Sequence, residues 1–192
     1  MKSKLMVLVA LLATLLTPLA NAQLASGLDG AFGSTVGPDG ALYVTERLAG
    51  RVSHIDPWTG NVTPFADGLP IPAVDIGANG AVDVAFVDGV AYVLVTVVGP
   101  ALVFLAPIIG APPGFAGDDA AGIYRIDGPG TATLVADLGQ WSVDNPPVGG
   151  AFIAHGVQYA MDPFRGGLLV TDGHHNRVLW VSADGDITEY AT

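Results

Sequence analysis

The chain has 192 residues, no cysteine, and seven Lys and Arg against eighteen Asp and Glu, for a net charge of −11. Both lysines fall in the first four residues, so the rest carries five arginines against eighteen acids, a net of −13. This excludes disulfides and argues against nucleic acid or an anionic membrane as partner, because an acidic surface repels both.

In chain order, Lys2 and Lys4 precede an apolar run from Leu5 to Leu16, and Ala20-Asn21-Ala22 gives the small-x-small pattern of a signal-peptidase site. The run is too short for a membrane span. Residues 1–22 are therefore expected to be a removed export signal and residues 23–192 a secreted or periplasmic domain. Sixteen of the eighteen acids are Asp, mostly beside Gly or Pro, which is turn chemistry before it is catalysis.

The segment "GALYVTERLAGRVSHIDPWTGNVTPFA" (40–66) aligns with "GGLLVTDGHHNRVLWVSADGDITEYA" (166–191). Val44-Thr45 sits over Val170-Thr171, Glu46 over Asp172, and Arg51-Val52 over Arg177-Val178. A third copy is split between "AYVLVTV" (91–97) and "GIYRIDGPGTATLVADL" (122–138). Internal repeats at this spacing indicate a stacked or circular array. Within each copy the polarity period is near two and the breakers fall at hairpin positions: Pro38-Asp39-Gly40, Asp88-Gly89, Gly166-Gly167 and Ala183-Asp184-Gly185. Four short antiparallel strands per copy predict an all-β propeller with three blades, at about 27–66, 80–138 and 151–191. No helix is expected after the signal.

The uncharged stretch 90–110 is long enough to raise a membrane span, but Gly99-Pro100 and Pro107 interrupt it and it begins inside a blade strand. Residues 98–121 are instead expected to form an apolar loop inserted in the second blade. Such a loop would cover a ligand or dock on a partner.

Asp172-x-x-x-Asn176-Arg177-Val178 after an apolar strand resembles the NHL repeat of six-bladed propellers. The ordered series "GPDGALYVTE…GRVSHIDPWTG", "DVAF…YVLVT", "GIYRID" and "GVQYAMDPFRGGLLVTDGHHNRV" resembles the ScyD/ScyE family of exported bacterial propellers over most of residues 27–191. The resemblance implies a fold rather than an activity. Three blades fall short of the four to eight of a closed ring, which implies either a truncated six-bladed chain or self-association of two chains.

The cluster "TDGHHNRV" is read as a tight connection between strands. Gly173 is expected to supply positive φ, Asn176 to cap the turn and Arg177 to begin the next strand, with His174 and His175 as loop decoration. His54 is read as a strand surface residue, Trp58 as a turn residue, and Trp141 and Trp180 as packing residues. Strand order puts Glu46, Asp83, His155, Asp172 and His174 at one end of their blades, which makes them the candidates for a ligand face. Calcium or zinc would suit such His and Asp donors, although no spacing matches a defined metal motif. Neither a Gly-x-Ser-x-Gly elbow nor a His-Glu-x-x-His is present. Two functions follow: a binding or scaffold module for a protein, glycan or small molecule, or a metal-dependent lactonase or esterase.

Overall fold

A computed structural model describes residues 23–150 and 152–192. The export signal expected at 1–22 lies outside the described residues. Twelve strands form three four-stranded antiparallel sheets, each in sequential order. Blade one comprises β1 (Ala31–Val36), β2 (Leu42–Glu46), β3 (Arg51–Ile55) and β4 (Val62–Ala66). Blade two comprises β5 (Gly80–Val87), β6 (Val90–Thr96), β7 (Gly122–Gly128) and β8 (Thr131–Ala136). Blade three comprises β9 (Gln158–Phe164), β10 (Gly167–Asp172), β11 (Arg177–Ser182) and β12 (Ile187–Ala191).

The innermost strands meet in succession, β1 against β5 and β5 against β9. Alternation then gives each blade one face for its predecessor and one for its successor. Tyr43 and Val52 of blade one pack on Val84, Val93 and Val95 of blade two. On the other face of blade two, Leu94 and Ile123 pack on Met161, Leu168, Val170, Leu179 and Val181 of blade three. The prolines respect this order. Pro163 lies in inner strand β9 and Pro64 in outer strand β4, both at sheet edges where a missing N–H costs no ladder bond. This tolerance lets β9 run on through Pro163 to Phe164.

Two parts of the sequence reading need correction. The segment after blade two is helical: α2 (Leu138–Asp144) follows the short α1 (Ala106–Ile109) in the chain. Asp137 caps α2, its side chain accepting the Gln140 N–H at 2.8 Å. Leu138 and Ser142, four residues apart, turn inward and are fully buried. Two turns are too short to show a helical period in the sequence.

The insert is the second correction. A 3₁₀ segment, Gly99–Leu105, runs into α1, so the insert is folded rather than a plain loop. Leu102 is fully buried with Val97, Ala116, Ile153 and Val157. Val103, Ile108 and Ile109 face outward. No helix among the described residues is long and apolar enough to cross a membrane.

Candidate functional site

The connections β2–β3, β6–β7 and β10–β11 leave the blades at the same end as the starts of β1, β5 and β9. At this end each outer blade carries a carboxylate on the last residue of its second strand and an arginine on the first residue of its third. Glu46 pairs with Arg51 in register, as Asp172 does with Arg177. The residue before each arginine is left-handed, Gly50 at φ 60° and Asn176 at φ 54°. Gly173 does not supply the positive φ expected of it. It is needed for space, since a Cβ there would lie 2.5 Å from the Tyr159 ring.

Glu46 is fully buried. Its Oε1 accepts from Arg51 Nε at 2.8 Å and from the Ser53 hydroxyl, and its Oε2 accepts from Arg51 Nη2 at 2.8 Å and from the Asp29 N–H at 2.5 Å. Burial pushes this carboxyl up, but these bonds to its charged form outweigh burial and hold it below the usual glutamate value.

Asp172 is equally buried and sits in a wider network. Its Oδ2 accepts from Arg177 Nε at 2.9 Å and its Oδ1 from Gln158 Nε2 at 3.3 Å. Arg177 spends its remaining donors on Asn145 O (2.7 Å) and Ser142 Oγ (3.1 Å), at the end of α2 and within it. Its guanidinium also lies 4.8 Å over the Trp141 ring. His175 is buried, not loop decoration. Its Nε2 bonds Ile153 O at 3.0 Å, so that nitrogen carries the proton, and its Nδ1 lies 2.9 Å from Arg177 Nη2 and 3.0 Å from Asp172 Oδ2.

The remaining candidates stand apart. Asp83 lies inside β5, opposite Leu94 at a bulge, rather than at the strand's start. Its Oδ2 accepts the Met161 N–H of blade three at 2.8 Å and its Oδ1 its neighbour Val84's N–H at 2.9 Å. Burial raises its pKa above the usual aspartate value, partly offset by these two N–H groups. His155 is half-buried near Gly139, and burial lowers its pKa against the opposing pull of Asp137. His174 is exposed, its ring 6.3 Å from that of Tyr159. Among the described residues no three His, Asp or Glu side chains group so as to hold a metal ion.

His54 bonds Asp39 Oδ2 at 3.1 Å and meets Tyr43 edge to face. Trp58 is exposed in its turn, and Trp180 Nε1 donates to Phe164 O. The residues that the sequence did not reveal are Gln158 and Thr96. Gln158 N donates to Thr96 Oγ1 at 3.1 Å, and the Thr96 hydroxyl lies 3.1 Å from Gln158 Oε1, which stitches blade two to blade three. In blades one and three the equivalent threonines, Thr45 and Thr171, bond their own inner strand at Gly33 and Ala160. The β5 bulge lies elsewhere in register and frees Thr96 to reach across. A lone glutamine among apolar neighbours in "HGVQYAM" was the only signal of this.

Three such sheets, joined inner strand to inner strand, are blades of a β-propeller. The solved structures bear this out. The chain is similar to a catalytically inactive virginiamycin B lyase from Staphylococcus aureus crystallised with quinupristin, at 16% identity over 84% of this chain and 41% of that one, with a TM-score of 0.52. It is also similar to a streptogramin B lyase, at 17% identity over 85% of this chain and 41% of that one, with a TM-score of 0.51. A putative gluconolactonase superposes at a TM-score of 0.36 and 15% identity over 88% of this chain and 65% of that one, too loosely to bear on this chain. The chain thus spans about 41% of the length of the two lyases. At such identities the likeness shows the fold alone. No protein-family model and no curated protein matches the sequence.

Proposed function

We propose that the chain is an exported, NHL-like propeller of ScyD/ScyE type that acts as a binding or scaffold module for a protein, glycan or small molecule. Recognition takes place at the end carrying the β2–β3, β6–β7 and β10–β11 connections. The observation that carries this reading is the engagement of the carboxylates there. Glu46 and Asp172 are sealed by arginine and Asp83 is bonded to backbone, so these acids brace the loops rather than offer a metal ligand set. What the end presents outward is the apolar part of the insert, with Val103, Ile108 and Ile109 exposed.

Calorimetric titration with calcium and zinc, together with assays on lactone and ester substrates, tests this reading. Neither metal is expected to bind above background, and no turnover is expected. Stoichiometric binding lost in His155→Ala, accompanied by metal-dependent hydrolysis, would install the hydrolase instead. Sequencing the N-terminus of the exported protein should read Gln-Leu-Ala-Ser from Gln23.

A further inference from the structure

The insert has two sides, and the core of blade two accounts for only one of them. Leu102 turns inward and is fully buried, whereas its neighbour Val103 is 55% exposed. On the outer side lies a groove of about 350 Å³. Pro100 and Val103 line it from the 3₁₀ segment, and Pro112, Pro113, Phe115 and Asp118 from the chain beyond α1. The rest of its lining is alanine and glycine. Such a volume is at the small end of the range for small-molecule pockets.

Local backbone chemistry fixes the shape of this groove. Gly110 ends α1 in the left-handed region at φ 64°, and the Ala111 N–H returns to Ala106 O at 3.1 Å. The prolines hold their own φ, and the Phe115 and Gly117 N–H groups close turns onto Pro112 O and Gly114 O.

The polar inventory is one-sided. Its three prolines carry no N–H, and the N–H groups of Ala106, Ala111, Phe115 and Gly117 are spent within the insert. The one lining side chain with hydrogen-bonding capacity is Asp118, whose ionised carboxylate only accepts. It is exposed, and among the described residues no cation pairs with it. Arg47, Arg51, Arg125 and Arg177 pair with Asp75, Glu46, Asp127 and Asp172. Arg165 lies over Phe164 in the β9–β10 turn, at the other end of the blades. An anion would meet a like charge here and no side-chain donor. An apolar body with a cationic group would meet apolar walls, an aromatic ring and a carboxylate.

We infer that the insert groove binds a compact amphiphilic cation, an ammonium group carried on an apolar body. The apolar part lies along Val103 and Phe115, and the ammonium meets Asp118. This rests on the reading of this end as the recognition surface and names the class of its ligand.

Three probes of matching size test it: the phenethylammonium cation, phenethyl alcohol and the hydrocinnamate anion, each titrated into the full chain and followed by amide chemical shifts. The ammonium should bind about fivefold more tightly than the alcohol at low salt, with the gap closing as salt is raised. The anion should bind most weakly, and the shifts should map to residues 99–118. Asp118→Asn should bring the ammonium down to the affinity of the alcohol and leave the alcohol unchanged. Val103→Arg, which plants a cation in the groove, should weaken both. Both positions are exposed, so each variant should keep the circular dichroism of the parent.

No binding, equal affinity for the three probes, or shifts that map outside the insert would overturn the inference and leave the binding-module reading standing. Turnover of a lactone or ester would overturn that reading without touching the groove. Two further outcomes would replace the ligand with another occupant. Co-sedimentation with phosphatidylcholine vesicles, lost in Val103→Arg, would make the groove a membrane contact. Concentration-dependent self-association lost in the same variant would make it a contact between copies.

Discussion

Blade three and blade two solve the same local problem with opposite chemistry. At the corner where the second strand passes to the third, blade three buries Asp172 against Arg177. By repeat position the corresponding residue of blade two is Val97, which packs with Leu102, Ala116, Ile153 and Val157 of the insert and its neighbour loop. A charged corner ties down a four-residue connection through directed bonds. An apolar corner instead needs a folded insert to cover it. The apolar solution carries strain, since Val97 is a β-branched residue at φ 47°. The difference teaches that the insert is part of a blade's core as well as a surface feature.

The strongest way to break the contrast is Arg177→Ala, which leaves Asp172 buried without its cation. A loss of about 3–5 kcal/mol in urea unfolding is expected. Arg51→Ala should cost less, because the Arg51 side chain is 34% exposed against 1% for Arg177, and water replaces part of what is lost. Equal losses would mean that the two corners do not differ in the way their burial indicates.

Next in size is the apolar corner. Leu102→Ala should cost about 2–5 kcal/mol, and the same measurement reads it. A plain loop could be replaced by a short turn. The strand ends permit it, for Val95 and Gly122 are paired, but the replacement would strip the cover from Val97 and Val98. An unchanged unfolding midpoint after Leu102→Ala would return the insert to the status of a loop.

The smallest effect expected is the pH dependence of the blade one corner. The folded pKa of Glu46 lies below its unfolded value near 4.5, so the unfolded state binds the proton more readily. The stability this group contributes is therefore present above about pH 4.5 and fades as the pH falls through the folded value. Glu46→Gln should flatten the parent's acid-side slope below pH 4.5 and leave the slope above pH 6 unaltered.

These cases show how far the sequence could be read. The repeat, the strand alternation and the hairpin breakers rest on local chemistry, and they placed all three blades and the Glu46–Arg51 and Asp172–Arg177 positions. Burial is not local. Nothing in "DGHHNR" distinguishes the sealed His175 from the exposed His174, because the difference is made by Ile153, twenty-two residues earlier in the chain. For the same reason α2 was missed: its short apolar face is defined only by what it packs against. The candidate ligand residues shared one end of the blades in the linear reading, but sharing an end does not bring side chains together.

The seam between blades two and three has a kinetic meaning. Thr96 and Gln158 are joined across 62 residues, and Arg177 reaches Ser142 across 35. Repeat arrays ordinarily permit each unit to order against its neighbour by local steps. Here β10 and β11 cannot satisfy their buried acid and base until α2 has docked, and β9 cannot satisfy Gln158 until β6 is in place. The two blades therefore open and close as one cooperative unit. Loop-closure entropy falls on the folding side of that step and slow opening on the other. Slow amide exchange should accordingly extend without a break from Tyr92 to Val181 across the seam rather than end at a blade boundary.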